Sequence, residues 1–500
     1  MSLSTVNTRA KLGLQAPLVT VEVHLSNGLP AFNIVGLPEA AVKESKDRVR
    51  SAILNSKFEF PNRRITVNLA PAELPKGGSR FDLAIAIGIL AASDQVPKQP
   101  LLDYEFIGEL ALSGELRGID AVLPSAIACA EAKKQLITSQ QNANEILLVE
   151  SITILAANNL LEVSAHLFET QLITPWKNKL TSSAVNYPEM QEVIGQNQAK
   201  RALEIAACGG HHMLLFGPPG TGKSMLASRL AGILPTLTKK EALRVACIHS
   251  LSRKDNSENL LRRPFRSPHH SASAVAIVGG GSSPLPGEIS LAHQGILFLD
   301  ELPEFHRSVL EMLREPLESG EINISRAAAQ LTFPAQFQLI AAMNPCPCGY
   351  LGSQRCDCSA EKIARYQSKI SGPILDRIDL HIPVNSIDNR QLIQGKTSQK
   401  VETNLDIRQR VCTARDIQIH RQGIVNARLD NHQLKKVCPL NSQQQNFLEK
   451  AIATYSLSAR SYHRLLKVAR SIADLSALEI PDIAQYQEAL SYRSQFKPLK

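Results

Sequence analysis

One eight-residue segment limits what this chain can fold into more than any other: Gly217-Pro218-Pro219-Gly220-Thr221-Gly222-Lys223-Ser224. It fits G-x-x-x-x-G-K-[ST], follows the short apolar run His212–Phe216 and opens the helical stretch Met225–Leu234. A strand, a glycine-rich loop and a helix in that order make a cradle for phosphates. The glycines let backbone N–H groups approach the oxygens, and the helix N-terminus adds positive potential. Lys223 is placed to contact the β and γ phosphates of ATP, and the Ser224 hydroxyl to ligate Mg2+.

The rest of such a site follows in the chain. Ile296-Leu-Phe-Leu-Asp300-Glu301 is an apolar strand that ends in two carboxylates, at the edge where open α/β sheets hold their ligands. Asp300 is expected to hold Mg2+ through water, and Glu301 to orient and polarise the attacking water. Leu339–Asn344 is a second apolar strand with a polar end. Asn344 either positions the lytic water or is an ordinary strand-end asparagine. Arg377 stands among apolar residues in Ser371–Leu380, where it either pairs with Asp379 or reaches a phosphate on a neighbouring subunit.

Around this core the pattern divides into four parts. Residues 1–170 read as mixed α/β. Leu18–Leu25 is a strand, Asn27-Gly28 suits a tight turn and Ala31–Val35 returns as its hairpin partner. The helix Glu39–Asn55, a strand Arg64–Leu69 and a buried helix or strand Phe81–Ala92 follow, and Leu101–Leu110 and Glu145–Val149 complete a sheet. Residues 171–190 carry two prolines and a Thr-Ser-Ser run and read as a linker. Residues 191–385 alternate strand and helix, the mark of a parallel sheet covered by helices. Residues 386–500 are polar and helix-rich, with an apolar face of Leu465, Leu466, Val468, Ala469 and Ile472 in the clearest helix, Ser461–Leu475.

Charge and cysteine usage narrow the setting. Lys and Arg exceed Asp and Glu by 9, which suits a polyanion partner such as nucleic acid and equally suits a mildly basic enzyme. The longest apolar run, Leu83–Ala92, is half of what a membrane span needs, and the first twenty residues lack a signal-peptide layout. A cytoplasmic protein with no membrane partner is expected, its nine cysteines reduced. Four of them, Cys346, Cys348, Cys356 and Cys358, fall within thirteen residues as two C-x-C pairs. The spacing is tighter than the usual C-x2-C, but four soft ligands suit a structural Zn2+, with reduced or redox-active thiols as the alternative.

Together these residues resemble the AAA+ ATPases. Pro286–Glu301, preceded by an insert at about Ala276–Pro284, resembles the magnesium-chelatase branch of that superfamily. Gly36–Ser45, Pro75–Leu83, Pro264–Ser273 and Ser371–Arg377 extend the resemblance over nearly the whole chain to the ComM/YifB family of magnesium-chelatase-like proteins. The resemblance implies an AAA+ core with a helical lid, assembled as a homo-oligomeric, hexameric ring with ATP bound between the subunits. Asn344 matches sensor 1, Arg377 an arginine finger acting in trans, and Arg460 sensor 2. It further implies a motor that migrates single-stranded and branched DNA during recombination of incoming DNA in natural transformation, with recombination proteins as further partners. Gly279 and Gly280 in the insert and Arg326 in the hairpin Glu321–Phe333 would meet DNA in the pore, although a solvated hairpin charge accounts for Arg326 equally well. His269 and His270 match a family motif and carry no assigned role. A magnesium-chelatase motor subunit and a protease or protease regulator are the competing functions.

Phe106–Gly118 resembles the Lon-protease-like (S5-type) α/β domain. Ser79 falls where that family carries its nucleophile, yet no lysine follows Arg117-Gly118 before Lys133. A Ser–Lys dyad needs that lysine. The expectation is a retained fold without protease activity, the alternative being a displaced lysine such as Lys76 or Lys133.

Overall fold

The computed structural model describes residues 2–177, 187–252, 261–281, 284–326, 329–386 and 402–493, with the backbone alone at 40, 325, 326 and 329. Residues 178–186 of the expected linker therefore lie outside the described residues. The chain forms two compact units, Met1–Ser183 with Thr238–Leu261, and Ala184–Leu237 with Arg262–Lys500.

The first unit is built on a seven-stranded mixed sheet. Its strands are β1 (Ser2–Arg9), β2 (Leu18–Ser26), β3 (Ala31–Val35), β4 (Arg64–Ala70), β5 (Tyr104–Phe106), β8 (Gln135–Ser139) and β9 (Ile154–Ala157), with a small hairpin of β6 (Glu109–Leu110) and β7 (Leu116–Arg117) beside it. The order is β3-β4-β2-β1-β5-β8-β9. The expected hairpin of β2 with β3 does not form. β4 lies between them, antiparallel to β2 and parallel to β3. Gly28 at φ +142 and the following Pro30 carry the chain past a two-residue turn. Val21, Val23 and Leu25 face the core beside Ile65, Val67 and Leu69 of β4. Asp82–Ala92 is a helix with every residue buried, so its apolar run lacks a polar face from which periodicity could be read. Glu145–Val149 is not a strand: the helix Gln140–Ile146, capped by Ser139 accepting from the Gln141 N–H, takes its first two residues, and a turn follows. The helix Lys239–Ser250, from within the 191–385 segment, contributes Ala246 and Cys247 to the core of this unit beside Val122 and Leu123.

The second unit carries a five-stranded sheet of order β11-β14-β17-β10-β18. These strands are β10 (Met213–Phe216), β11 (Phe265–Arg266), β14 (Ile296–Leu299), β17 (Gln338–Met343) and β18 (Leu380–Pro383). Every neighbouring pair is parallel. All the carboxyl ends therefore open on one edge. The central strands are buried on both faces, as their apolar residues require: Met213–Leu215, Ile296–Leu299 and Leu339–Met343 are all core. Each fully buried Leu or Ile contributes about 1.5–3 kcal/mol. The helix Ala459–Leu475 lays Leu465, Leu466, Val468, Ala469 and Ile472 into the same core. It is pinned internally by Arg470 on Asp474 at 2.7 Å, an ion pair that Arg421 joins at 2.7 Å.

Candidate active site

Strand order decides which side chains meet. β17 lies between β10 and β14, so Asn344 at its end is set between the loop that leaves β10 and the two carboxylates that follow β14. Adjacent strands are about 4.8 Å apart, and the contacts agree with that spacing. Lys223, 8% exposed, donates to the Gly217 and Pro218 carbonyls at 2.8 Å each and to Asn344 Oδ1 at 3.1 Å. Burial lowers the Lys223 ammonium pKa, and Asp300 counteracts this. Ser224 Oγ donates to Asp300 Oδ2 at 2.6 Å. Asp300 Oδ1 accepts from the Glu301 N–H at 2.9 Å, and Glu301 turns away with φ +51. Gly222, at φ +88, caps the helix Lys223–Ile233 whose first turn faces the loop.

This donor set fits a nucleotide with Mg2+. A hydroxyl and a carboxylate oxygen in contact are the hard ligands Mg2+ takes. The buried ammonium, held among the described residues by neutral oxygens, can exchange them for phosphate. Lys223, Ser224, Asp300, Glu301 and Asn344 thus form one site.

Arg377 and Arg460 converge elsewhere, on Glu318. Arg377 Nη2 lies 2.8 Å from Glu318 Oε2, and Arg460 Nη2 lies 2.6 Å from Oε1. Burial opposes the charge on Glu318, but Arg377 and then Arg460 hold its carboxyl below the usual range. The alternative pairing of Arg377 with Asp379 is not formed. Asp379 binds Arg464 at 2.7 Å and accepts from the His212 N–H at 3.0 Å. Burial works to raise the Asp379 carboxyl, yet Arg464, His211 and His212 hold it well below the usual carboxylate range.

The remaining candidates fall in three places. Gly279 and Gly280 form β12, paired with β13 (Leu285–Pro286). A Cβ on Gly279 would stand 2.6 Å from the Leu285 carbonyl and 2.8 Å from Ile324 Cδ1. Ile324 belongs to β15 (Glu321–Arg326), which pairs with β16 (Ala329–Pro334), so the insert and the hairpin touch. The Arg326 side chain lies outside the described residues. Cys346, Cys348, Cys356 and Cys358 come together, with all four Sγ atoms within 4.8 Å of one another. In the first unit the Ser79 hydroxyl donates to the Glu109 carboxylate, and buried Lys76 donates to the Pro71 carbonyl. Neither contact makes a Ser–Lys dyad.

Family comparisons match this arrangement in three consecutive stretches. The description "Subunit ChlI of Mg-chelatase" fits residues 21–142, "Magnesium chelatase, subunit ChlI" fits 189–392, and its C-terminal description fits 401–493. Among curated proteins, competence protein ComM of Haemophilus influenzae is 51% identical, covering 100% of this chain and 99% of its own. The chain belongs to the ComM/YifB family of magnesium-chelatase-like AAA+ ATPases. YifB of Escherichia coli is 49% identical over 99% of this chain and 97% of its own. The magnesium-chelatase 38 kDa subunit of Acidiphilium rubrum is 28% identical over 31% of this chain.

Membership in the ComM/YifB family implies ATPase activity, with ATP and Mg2+ as the ligands its loop residues fit. Two polar residues of this member have no role in the sequence reading. His270 Nδ1 stands 3.1 Å from Glu301 Oε2, its ring 4.1 Å from that of His269 and edge-on to Phe305. The available signal was positional: the Pro268-His-His segment follows β11, the strand next to β14. Glu318 gave none, because only the fold brings it to two arginines 59 and 142 positions further on.

Proposed function

We propose that this chain is an ATP-driven, ring-forming DNA motor that promotes branch migration while incoming DNA is recombined during natural transformation. The observation that carries the proposal is the meeting of Lys223, Ser224, Asp300 and Asn344 in a chain alike from end to end to a protein named for competence. ATP in the loop would exchange the Gly217, Pro218 and Asn344 oxygens on Lys223 for phosphate oxygens. Ser224 and Asp300 would hold Mg2+, whose bound form neutralises charge on the transferring phosphoryl. Glu301, once turned from His270, accepts the proton of the attacking water, and Asn344 orients that water.

The proposal extends to organisation. Residues 1–170 are a Lon-like domain without a dyad, and 171–190 a linker. Residues 191–385 are the ATPase core, and 386–500 a helical lid carrying sensor 2 at Arg460. Six such chains in a ring would set Arg377 of one subunit against the nucleotide of the next. The loops at Gly279-Gly280 and Arg326 would line the pore and grip DNA. Zn2+ would sit on the four cysteines. No helix among the described residues is long and apolar enough to cross a membrane, and the proposed setting is the cytoplasm, beside recombination proteins.

A magnesium-chelatase motor subunit is the second reading, favoured by the family descriptions that match. The limited overlap with the 38 kDa chelatase subunit counts against it. The test is ATP-dependent branch migration on a four-way DNA junction, with wild type and Glu301→Gln. Junction movement by wild type alone supports the motor. Turnover indifferent to DNA, with junctions left in place, overturns it.

A further inference from the structure

The four-cysteine loop does more than sit near the nucleotide loop: its backbone lies against it. Cys346 follows Asn344 by two residues, and Gly349 lies between the two cysteine pairs. Gly349 has φ +85, and a Cβ there would stand 2.6 Å from Pro219 Cδ and 3.7 Å from Asn344 Cγ. Only glycine allows so close an approach. The turn is closed by the Gly349 N–H on the Cys346 carbonyl at 3.0 Å.

The thiols themselves are spaced for a metal. Cys346 Sγ is 3.4 Å from Cys348 Sγ and 3.8 Å from Cys356 Sγ, and Cys348 Sγ is 3.7 Å from Cys356 Sγ. These distances are far beyond a disulfide bond, and all four thiols are free. A tetrahedron with Zn–S bonds of about 2.3 Å has S···S edges of about 3.8 Å. Cys346 is fully buried, and the other three are half-buried.

We infer that these thiolates hold a zinc ion which braces the nucleotide loop through Gly349 and Pro219, so that zinc and nucleotide binding are thermodynamically coupled. The inference rests on the proposed nucleotide site and adds a second ligand to it. Without the metal, the turn keeps its Gly349 N–H bond to the Cys346 carbonyl but loses the links that tie Cys346 and Cys348 to Cys356 and Cys358, and the surface that backs Pro219 is freer to move. Zinc then favours the loop shape that takes phosphates. By reciprocity, bound nucleotide raises the affinity for zinc by the same factor. The ion is closed off by four protein ligands and has no part in the chemistry of hydrolysis.

The test uses the full-length protein. Metal analysis is expected to find one zinc per chain. A fluorescent ADP is titrated, without Mg2+, into wild type before and after zinc removal by a zinc-selective chelator. Removal is expected to weaken nucleotide binding about tenfold, within the usual range of coupling between sites. Readdition of zinc restores the affinity, which shows that the stripped protein has not simply unfolded. Gly349→Ala keeps all four thiols and is expected to keep the zinc while losing affinity, because its Cβ meets Pro219. Cys356→Ser is expected to lose both. Zinc present but nucleotide affinity unchanged on its removal overturns the coupling. Absence of zinc from protein that binds nucleotide normally overturns the metal site. A zinc-loaded protein that binds no nucleotide overturns the ATPase reading itself.

Discussion

Glu318→Gln keeps the size of the side chain and deletes the charge shared by Arg377 and Arg460. The two halves of that contact differ in worth. The Arg460 and Glu318 side chains are 45% and 44% exposed, so their pair contributes under about 1 kcal/mol. Arg377 is 5% exposed. Its Nη1 donates to the Pro373 carbonyl at 2.7 Å, and its buried Nε has no partner among the described residues. Leaving that guanidinium without a carboxylate costs about 1–3 kcal/mol. A cost of about 2 kcal/mol makes local opening roughly 30-fold more frequent. Hydrogen–deuterium exchange over Pro316–Ser319 and Ser371–Arg377 reads this directly and avoids treating a two-unit chain as a single transition. Function separates the roles further. If Arg377 serves a neighbour's phosphate, Glu318 competes for it, and Glu318→Gln preserves or raises turnover while Arg377→Ala loses it. Unchanged exchange in Glu318→Gln would refute the energetic argument. Turnover lost as completely as in Arg377→Ala, with the ring intact, would make the Arg377–Glu318 pair itself the working element.

Other expectations follow from the same geometry. Lys223→Ala removes the ammonium that bridges Gly217, Pro218 and Asn344, and should abolish nucleotide binding in a fluorescent-ADP titration. Arg377→Ala should keep nucleotide affinity within about twofold and lower turnover by about 10³, so full activity in the assembled ring would remove the trans assignment. His270→Ala should leave affinity unchanged and lower kcat by about tenfold, since His270 touches Glu301 and not the phosphate-binding residues; an equal change in KM alone would count against a positioning role. His381 is buried, and burial, then Arg493, push its pKa down to about 3. The unfolded chain therefore takes up its proton first, near pH 6.5, so this share of stability is complete above that pH and is lost as pH falls towards 3. Between pH 7 and 5 the loss is about 2 kcal/mol, and urea unfolding of wild type beside His381→Asn should differ in pH dependence by that amount.

The candidate nucleotide site was legible because its chemistry is local. The loop motif, Asp300-Glu301 and Asn344 each stand at the end of an apolar strand, and a parallel sheet brings such ends to one edge whatever lies between them. The four cysteines were legible by spacing alone. Strand pairing in the first unit was not. The Asn27-Gly28 pair signalled a hairpin, but the contest between β3 and β4 for the edge of β2 was settled by packing across the 37 residues that separate Ser26 from Arg64. The fully apolar Leu83–Ala92 run gave no period because it has no wet side. Glu318 was not singled out and His270 was left without a role for a related reason. His270 lies in a family motif that names no partner for it, nothing near Glu318 in sequence marks it, and each matters through a partner supplied by tertiary structure.

The helix Lys239–Ser250 imposes an order on synthesis. The first unit draws that helix from residues 238–261, after 54 residues that belong to the second. A ribosome must therefore complete the nucleotide loop before Val122 and Leu123 can be covered by Ala246 and Cys247. A fragment stopping at 183 would emerge with that apolar face bare, and the two halves of this protein are not separable by a single cut.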